Sequence, residues 1–548
     1  MAIVKKPPDH DEFPAASTQE PPTPASRAAD PAIPASPGPR SRAVLAGLLA
    51  CAGVLYLTGL GTLDLWAPDE PRYGAIAEEL RSGRHGPGGL VLLHLNGEPY
   101  DQKPPLYFWL AAAFGLPFGR VDEVAARLPS ALAGVAGVGL TFAIARLLGR
   151  STISALLSAG LLATSFRFAF SARRAQLDVL LTACELAAIA VFLVIETRRG
   201  GIEQARRHPG LLAVLHGALG AAALVKGPVG WLPLLVFAAW LAWEGRLAAF
   251  GRLVPVWSWV LSLGPVCAWI SGATALAPEG FAQGAVADNV FARFFAGTSH
   301  VRPFYYYGYQ LPLDFLPWTL LWPLALPVLA RACRDARPEA TSDRAGARLL
   351  AAWCVVPLVF FTLSAGKRGL YLLPIHPALA LVTSLAVASP AWERAVRGAR
   401  GLAARPLAIA IAAVAVVELA IALLVLPRLD GEKSPRPIAD AIARHGDAAS
   451  AVGVYRLRPL EGAIPYYGGR PVASLASETA AERFLAEAEG RRRDLILLRG
   501  SDFDALRERL ALEPLERFRS GRRELVLAHA RPRPPGPPPI VGRSDAPH

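Results

Sequence analysis

Apolar residues along this chain fall in repeated runs of about twenty, the length at which a helix crosses the hydrocarbon core of a bilayer. The runs are continuous rather than alternating. That selects helices over a closed barrel, since inside a membrane each backbone polar group must be satisfied within its own helix or around a closed sheet. The pattern predicts an all-α polytopic membrane bundle of about eleven crossings, about thirteen if short segments also cross, with an odd total. The first crossing is expected over roughly 43–63. Segment 104–119, "PPLYFWLAAAFGLPFG", is short and carries proline near both ends, so it is expected to hug or re-enter the membrane rather than cross it. Beyond about 428 the pattern changes. "AVGVYRL", "PVASLA", "DLILLRG" and "RELVLAH" read as short buried strands, interleaved with amphipathic stretches near 436–445, 478–490 and 502–511, and predict a small soluble α/β domain over 428–530.

Composition agrees with this division. The chain has 548 residues, 53% hydrophobic and 18% charged, with a net charge of +13. In a membrane protein, Lys and Arg collect in cytoplasmic loops, so the positive balance reads as topology and not as nucleic-acid binding. Arginine-rich stretches at 146–150, 196–208, 244–252, 331–348 and 393–405 are placed in the cytoplasm. The opposite span ends, and the C-terminal domain, are then expected to face outward together. Residues 1–42, rich in Pro, Ala and Ser, read as a disordered cytoplasmic tail, 43–427 as the transmembrane part with an outer loop at 64–103, and 531–548 as a second Pro-rich tail. Cys51, Cys184, Cys267, Cys333 and Cys354 are scattered without metal or redox spacing.

The outward positions carry the candidate chemistry. The first outer loop brings Asp69, Glu70, Arg72 and Tyr73, then Glu98, Asp101, Gln102 and Lys103; "SARRAQLD" adds Arg173, Arg174 and Asp178; "ALVKGPVG" adds Lys226; "DNVFARFF" adds Asp288 and Arg293; "SAGKRGLY" adds Lys367, Arg368 and Tyr371. Lys226 and the Lys367-Arg368 pair occupy short outward turns, where the charge bias of topology disfavours cations. Charged groups gathered at one membrane face are by default a functional-site hypothesis. Carboxylates beside fixed cations suit a reaction that releases a phosphate: the cations stabilise the leaving charge while a carboxylate acts as base, or holds a metal or the acceptor. A transporter or lipid flippase is the competing reading. It would place charges near the midplane of several spans and show internal repeats, and no repeat is visible.

"LWAPDEPRYGAIAEELRSG", "NGEPYDQKPPLYFWL", "ARLPSALAG", "RRAQLDVLLT", "LVKGPVGW", "VRPFYYYGYQLPLDFLPW" and "GKRGLYLLPIHPALAL", in that order, resemble the bacterial members of glycosyltransferase family 39, which includes aminoarabinose transferases that modify lipid A and protein O-mannosyltransferases. The resemblance implies the GT-C fold, a polyprenyl-phosphate-linked sugar as donor, and a lipid or protein acceptor. It further implies that Asp69 is the key carboxylate, Glu70 its neighbour and Asp178 a second acidic residue. Arg72, Lys103, Lys226, Arg293 and Lys367 would contact donor phosphate or acceptor charge, with Tyr73, Arg368 and Tyr371 at the same site. The chain departs from the family in having Gln102 where a Glu is usual and Asp288-Asn289 where Glu-His is usual, which removes plausible ligands and leaves use of a divalent metal open. Outside this set, Glu418 reads as a protonated or paired intramembrane carboxyl and His376 as a packed histidine; "YYYGY", 305–309, suits an aromatic belt or a sugar platform equally.

Overall fold

The computed structural model describes residues 2, 39–284, 301–395, 404–447, 449–487, 494–521 and 523–531. Its first helix, α1 (Pro39–Leu57), leads into a loop whose helical part is α2 (Asp69–Arg81), followed by a two-stranded hairpin, β1 (His94–Leu95) and β2 (Glu98–Pro99). The hairpin turns at Asn96-Gly97, both with positive φ (60° and 80°), the pairing a tight two-residue hairpin requires. Next, α3 (Leu106–Gly115) is too short to cross a membrane, as expected; it buries Tyr107 and Phe108 against Tyr73 of α2, while Leu116 and Phe118 just beyond it stay exposed.

Long helices follow. α4 (Glu123–Leu147) starts at Asp122, whose side chain accepts the Ala125 N–H at 2.8 Å; α5 (Thr152–Ala163) and α6 (Phe166–Ala172) meet at 67°; α7 (Leu177–Arg198) packs between α4 and α8 (Pro209–Lys226). After a 3-10 turn at Gly227–Trp231, α9 (Leu232–Trp243) runs back. The reversal is readable in the contacts along α7. Lys226 at the end of α8 pairs with Asp178 at the start of α7, Phe237 stacks on Phe192 at 3.9 Å, and Arg246 beyond α9 pairs with Glu196 near the end of α7 at 2.6 Å. Glycine makes the turn: Gly227 has φ +73°, and a Cβ on Gly230 would collide with the backbone of Ala222 and Ala223.

Further helices include α10 (Gly264–Leu276), α11 (Tyr306–Asp314), α12 (Trp322–Arg334), α13 (Thr341–Leu363), α14 (His376–Ser384) after a 3-10 segment Gly369–Ile375, and α15 (Arg405–Ala420), which continues through a wider turn to Lys433 before the helix Arg436–His445. Among the described residues, 6 helices are long and apolar enough to cross a membrane, or up to 9 if each of three bent pairs is one span. By that measure the number falls below the expected eleven to thirteen, because breaks and short helices interrupt the apolar runs; the α8–α9 reversal shows that one such stretch, Pro209–Trp243, traverses the bundle twice. Four of the arginine-rich segments share one end, while most of 393–405 lies outside the described residues. Arg246 meets Glu196 and Glu203, Arg348 meets Glu244, Arg344 caps the Asp335 carbonyl, and Gly346 packs on Leu148.

At the opposite end lies a five-stranded sheet in the order β4-β3-β5-β7-β6, with β3 (Val452–Tyr455), β4 (Ala473–Leu475) and β5 (Leu495–Arg499) parallel and β6 (Leu512–Ser520) and β7 (Arg523–Ala530) antiparallel. Four strands coincide with the four apolar stretches in the sequence. The fifth, β6, is a charged edge strand with Pro514 and an irregular register, so it lacks the apolar signal of a buried strand. The sheet docks on the outer loop. Tyr466 donates to the Val121 carbonyl (2.8 Å), Asn96 bonds both the N–H and the carbonyl of Val472, Arg436 pairs with Asp64 and Glu123, and a Cβ on Gly462 would lie 2.6 Å from the Arg72 Cα. Gly462→Ala is therefore expected to lift the sheet off α2 at a cost of ~1–3 kcal/mol, seen as a lower unfolding temperature and faster limited proteolysis near residue 434.

Candidate active site

α2 begins at the site, and its first two residues take different directions because successive helical side chains lie about 100° apart. Asp69 faces outward. Its carboxylate takes a hydrogen bond from Arg368 at 3.0 Å and lies 3.9 Å from Arg72, one helical turn on. Across from it, Asp178 in the first turn of α7 is paired with Lys226, whose ammonium also sits 4.6 Å from the centre of the Tyr371 ring. Arg368 joins the halves: burial works against its charge, and Asp69 and then Asp178 outweigh that and keep the guanidinium protonated. Arg72, Asp69, Arg368, Asp178 and Lys226 thus form a row of alternating charge drawn from four segments of chain.

Glu70, expected as a second carboxylate for the reaction, is buried with no exposed surface. It pairs with Arg127 of α4 at 2.9 Å and Arg174 at 2.6 Å, and accepts the N–H groups of Trp66 (3.0 Å) and Ala175 (2.9 Å). Burial alone would push its pKa up; Arg127 and Arg174, with the Ala175 N–H, prevail and hold it at about 2. Arg127 further donates to the carbonyls of Leu60, Leu63 and Asp64, so this cluster pins the end of the first crossing beneath α2. Such a carboxylate cannot touch a substrate.

Other expected site residues are distributed unevenly. Tyr73 is buried among Tyr107, Phe108 and Tyr100; burial, then the Asp69 charge, raises its pKa well above that of a free phenol. Lys103 is half-buried just before α3. Lys367 is buried and turned away from the row, donating to the carbonyls of Ser364 and Arg302 (3.3 Å), where it ties residue 302 to the turn preceding Arg368. Arg293, with Asp288 and Asn289, lies outside the described residues. His376 is buried edge-on to Phe315. Arg127 lies outside the expected set, and its signal in the sequence is that of a lone arginine inside an apolar run. Glu185, an acidic residue inside an apolar run, is buried two turns along α7 from Asp178, on the same side of the helix.

Among the described residues, no three His, Cys, Asp or Glu side chains cluster so as to hold a metal ion. The two carboxylates of the row are each held by a cation, so a divalent ion would have to displace Arg368 or Lys226. A separate depression of about 440 Å³ between α2 and α3, lined by Leu80, Leu90, Trp109, Ala112, Ala113 and Leu116 with Arg81 at its edge, is apolar and contains none of the row.

Residues 43–281 match the family model described as dolichyl-phosphate-mannose-protein mannosyltransferase. The chain is similar to an undecaprenyl phosphate-alpha-4-amino-4-deoxy-L-arabinose arabinosyl transferase of Pseudomonas fluorescens (strain Pf0-1), 31% identical over 351 residues, covering 62% of this chain and 57% of that protein. With the enzyme of the same description from Pseudomonas aeruginosa (strain LESB58) it shares 31% identity over 344 residues, 61% of this chain and 58% of that one. The alignments thus span less than two thirds of these relatives' length. Among solved structures, ArnT from Cupriavidus metallidurans bound to undecaprenyl phosphate superposes with a TM-score of 0.72 at 21% identity, covering 88% of this chain and 98% of that one. An archaeal oligosaccharyltransferase, AglB from Archaeoglobus fulgidus in complex with an inhibitory peptide and a dolichol-phosphate, superposes at 0.52 with 12% identity, covering 84% and 69%.

Proposed function

We propose that this chain, which has the GT-C fold and is similar to glycosyltransferase family 39 enzymes, is a multi-pass bacterial inner-membrane enzyme transferring a sugar from a polyprenyl-phosphate donor to a lipid or protein acceptor. In this reading the end bearing the alternating row faces the periplasm together with the C-terminal domain, 428–530, and the arginine-rich end, with the N-terminus, faces the cytoplasm. The observation that carries the reading is the row itself: two carboxylates from distant segments, each held by a cation, at one end of an apolar bundle. The names of the similar proteins support the donor class, since the relatives are described as acting on undecaprenyl phosphate-linked aminoarabinose.

Each residue then has a task. Asp69, partly exposed and flanked by Arg368 and Arg72, takes the proton of the acceptor hydroxyl as its oxygen attacks the anomeric carbon. The bond to the donor phosphate breaks as the new glycosidic bond forms, so the anomeric centre inverts. Lys226, Arg368 and Arg72 balance the charge that develops on the leaving lipid phosphate. Asp178 holds Lys226 in place, and Tyr371 supports the ammonium from below. No step is assigned to a metal, because the described residues offer no ligand set for one.

Incubating the purified protein in liposomes with labelled polyprenyl-phosphate sugars and cell-envelope fractions tests this. Label on lipid or on protein supports the reading and names the acceptor class, whereas a broad donor panel that yields no label from a folded protein favours transport. Lys226→Met is expected to raise the donor KM by about tenfold or more while the fold survives, as a donor titration would report.

A further inference from the structure

Two features outside this scheme, the tyrosine run "YYYGY" and the buried carboxylate Asp314, meet on α11. This helix meets the segment Trp318–Arg334 at 103°, so it lies across the end of the bundle rather than along it. Tyr307, Gln310 and Asp314, spaced three and four residues apart, line one of its faces. That face meets the backbone of Arg368 and Gly369. The Tyr307 hydroxyl donates to the Arg368 carbonyl at 3.2 Å. Asp314 Oδ1 accepts from Arg167 at 2.9 and 2.6 Å and from Gln310 at 2.7 Å, whereas its Oδ2 has no partner among the described residues. That free oxygen points at Gly369, where an added Cβ would lie 2.5 Å from Oδ2 and 3.3 Å from Gln310 Nε2. Tyr307 and Asp314 are 3% and 1% exposed.

Arg368 is the residue that reaches Asp69, and its side chain is 35% exposed. An ion pair that open is normally weak, since a long side chain must surrender rotamer freedom to hold one geometry. What distinguishes this pair is the anchoring of its root. We propose that Tyr307 and Asp314 are positioning residues that fix the Arg368–Gly369 backbone against α11, so that the guanidinium stands on Asp69. Gly369 is part of the device, because any side chain there would drive the segment off Asp314. The proposal rests on Asp69 being the reacting carboxylate only for its effect on turnover; the geometry it asserts can be read without turnover.

The test uses the full-length protein in lipid nanodiscs and two readouts. The first is the rate at which phenylglyoxal modifies Arg368, followed by peptide mass analysis. Tyr307→Phe, which keeps the ring and loses the hydroxyl, is expected to raise that rate by about fivefold, and Gly369→Ala to do the same, with Tyr309→Phe as an unaffected control from the same motif. The second is sugar transfer in a double-mutant cycle. Tyr307→Phe should slow transfer by about fivefold in the wild type and cause no further loss in an Arg368→Ala background. Unchanged Arg368 reactivity in both variants overturns the proposal, as does an equal loss of transfer in both backgrounds, which is what a merely structural tyrosine would give. If the wild type transfers no sugar, the transferase reading fails and Arg368 reactivity still decides this one.

Discussion

Asp69→Asn should yield a protein that folds and inserts as the wild type does and transfers sugar about a thousandfold more slowly. The substitution keeps the side chain's shape and an oxygen to accept from Arg368, so the packing around α2 is undisturbed. What it removes is the negative charge and the basicity. Without a base, the acceptor oxygen attacks as a hydroxyl, and the positive row loses the anion that balanced Arg72 and Arg368 before the donor arrived. Turnover by wild type and variant in the same liposomes, with unfolding temperatures compared in parallel, measures the effect. Retention of transfer to within about tenfold would move the role of base to Asp178.

Its neighbour should behave in the opposite way. Glu70→Gln is expected to cost ~3–5 kcal/mol of stability, because it leaves Arg127 and Arg174 buried around a neutral side chain. The expected outcome is a sharp drop in the yield of folded protein and in its unfolding temperature, with near-normal turnover in whatever fraction folds. The pH dependence follows from the same pairing. Folding lowers the Glu70 pKa from its ordinary 4.5 to about 2, so the stabilisation it supplies is present above the ordinary carboxylate range and is lost as pH falls from about 5 toward about 2. Wild-type unfolding temperatures should fall across that window, and the part due to Glu70 should be missing from the variant's profile. If Glu70→Gln proved stable but inactive, the buried cluster would have to take part in the reaction.

Much of this protein is legible in its sequence, for reasons that are local. Apolar runs of bilayer length, arginines clustered between them and the short apolar runs of the buried strands are each properties of a few consecutive residues, and the physics that reads them acts over the same distance. The sequence therefore determined a helical membrane bundle, a small α/β domain after it, and a set of charges gathered at one end. It could not decide which charges do chemistry. Asp69 and Glu70 are adjacent carboxylic acids, yet the turn of one helix sends the first to the row and the second to the core. Asp69 finds Arg368 across 299 positions and Asp178 finds Lys226 across 48, while Lys367, beside Arg368, turns to carbonyls instead. Whether a carboxylate becomes a brace or a base depends on which distant cations fold against it and whether water still reaches it. Both are settled by long-range packing, which only the tertiary structure decides.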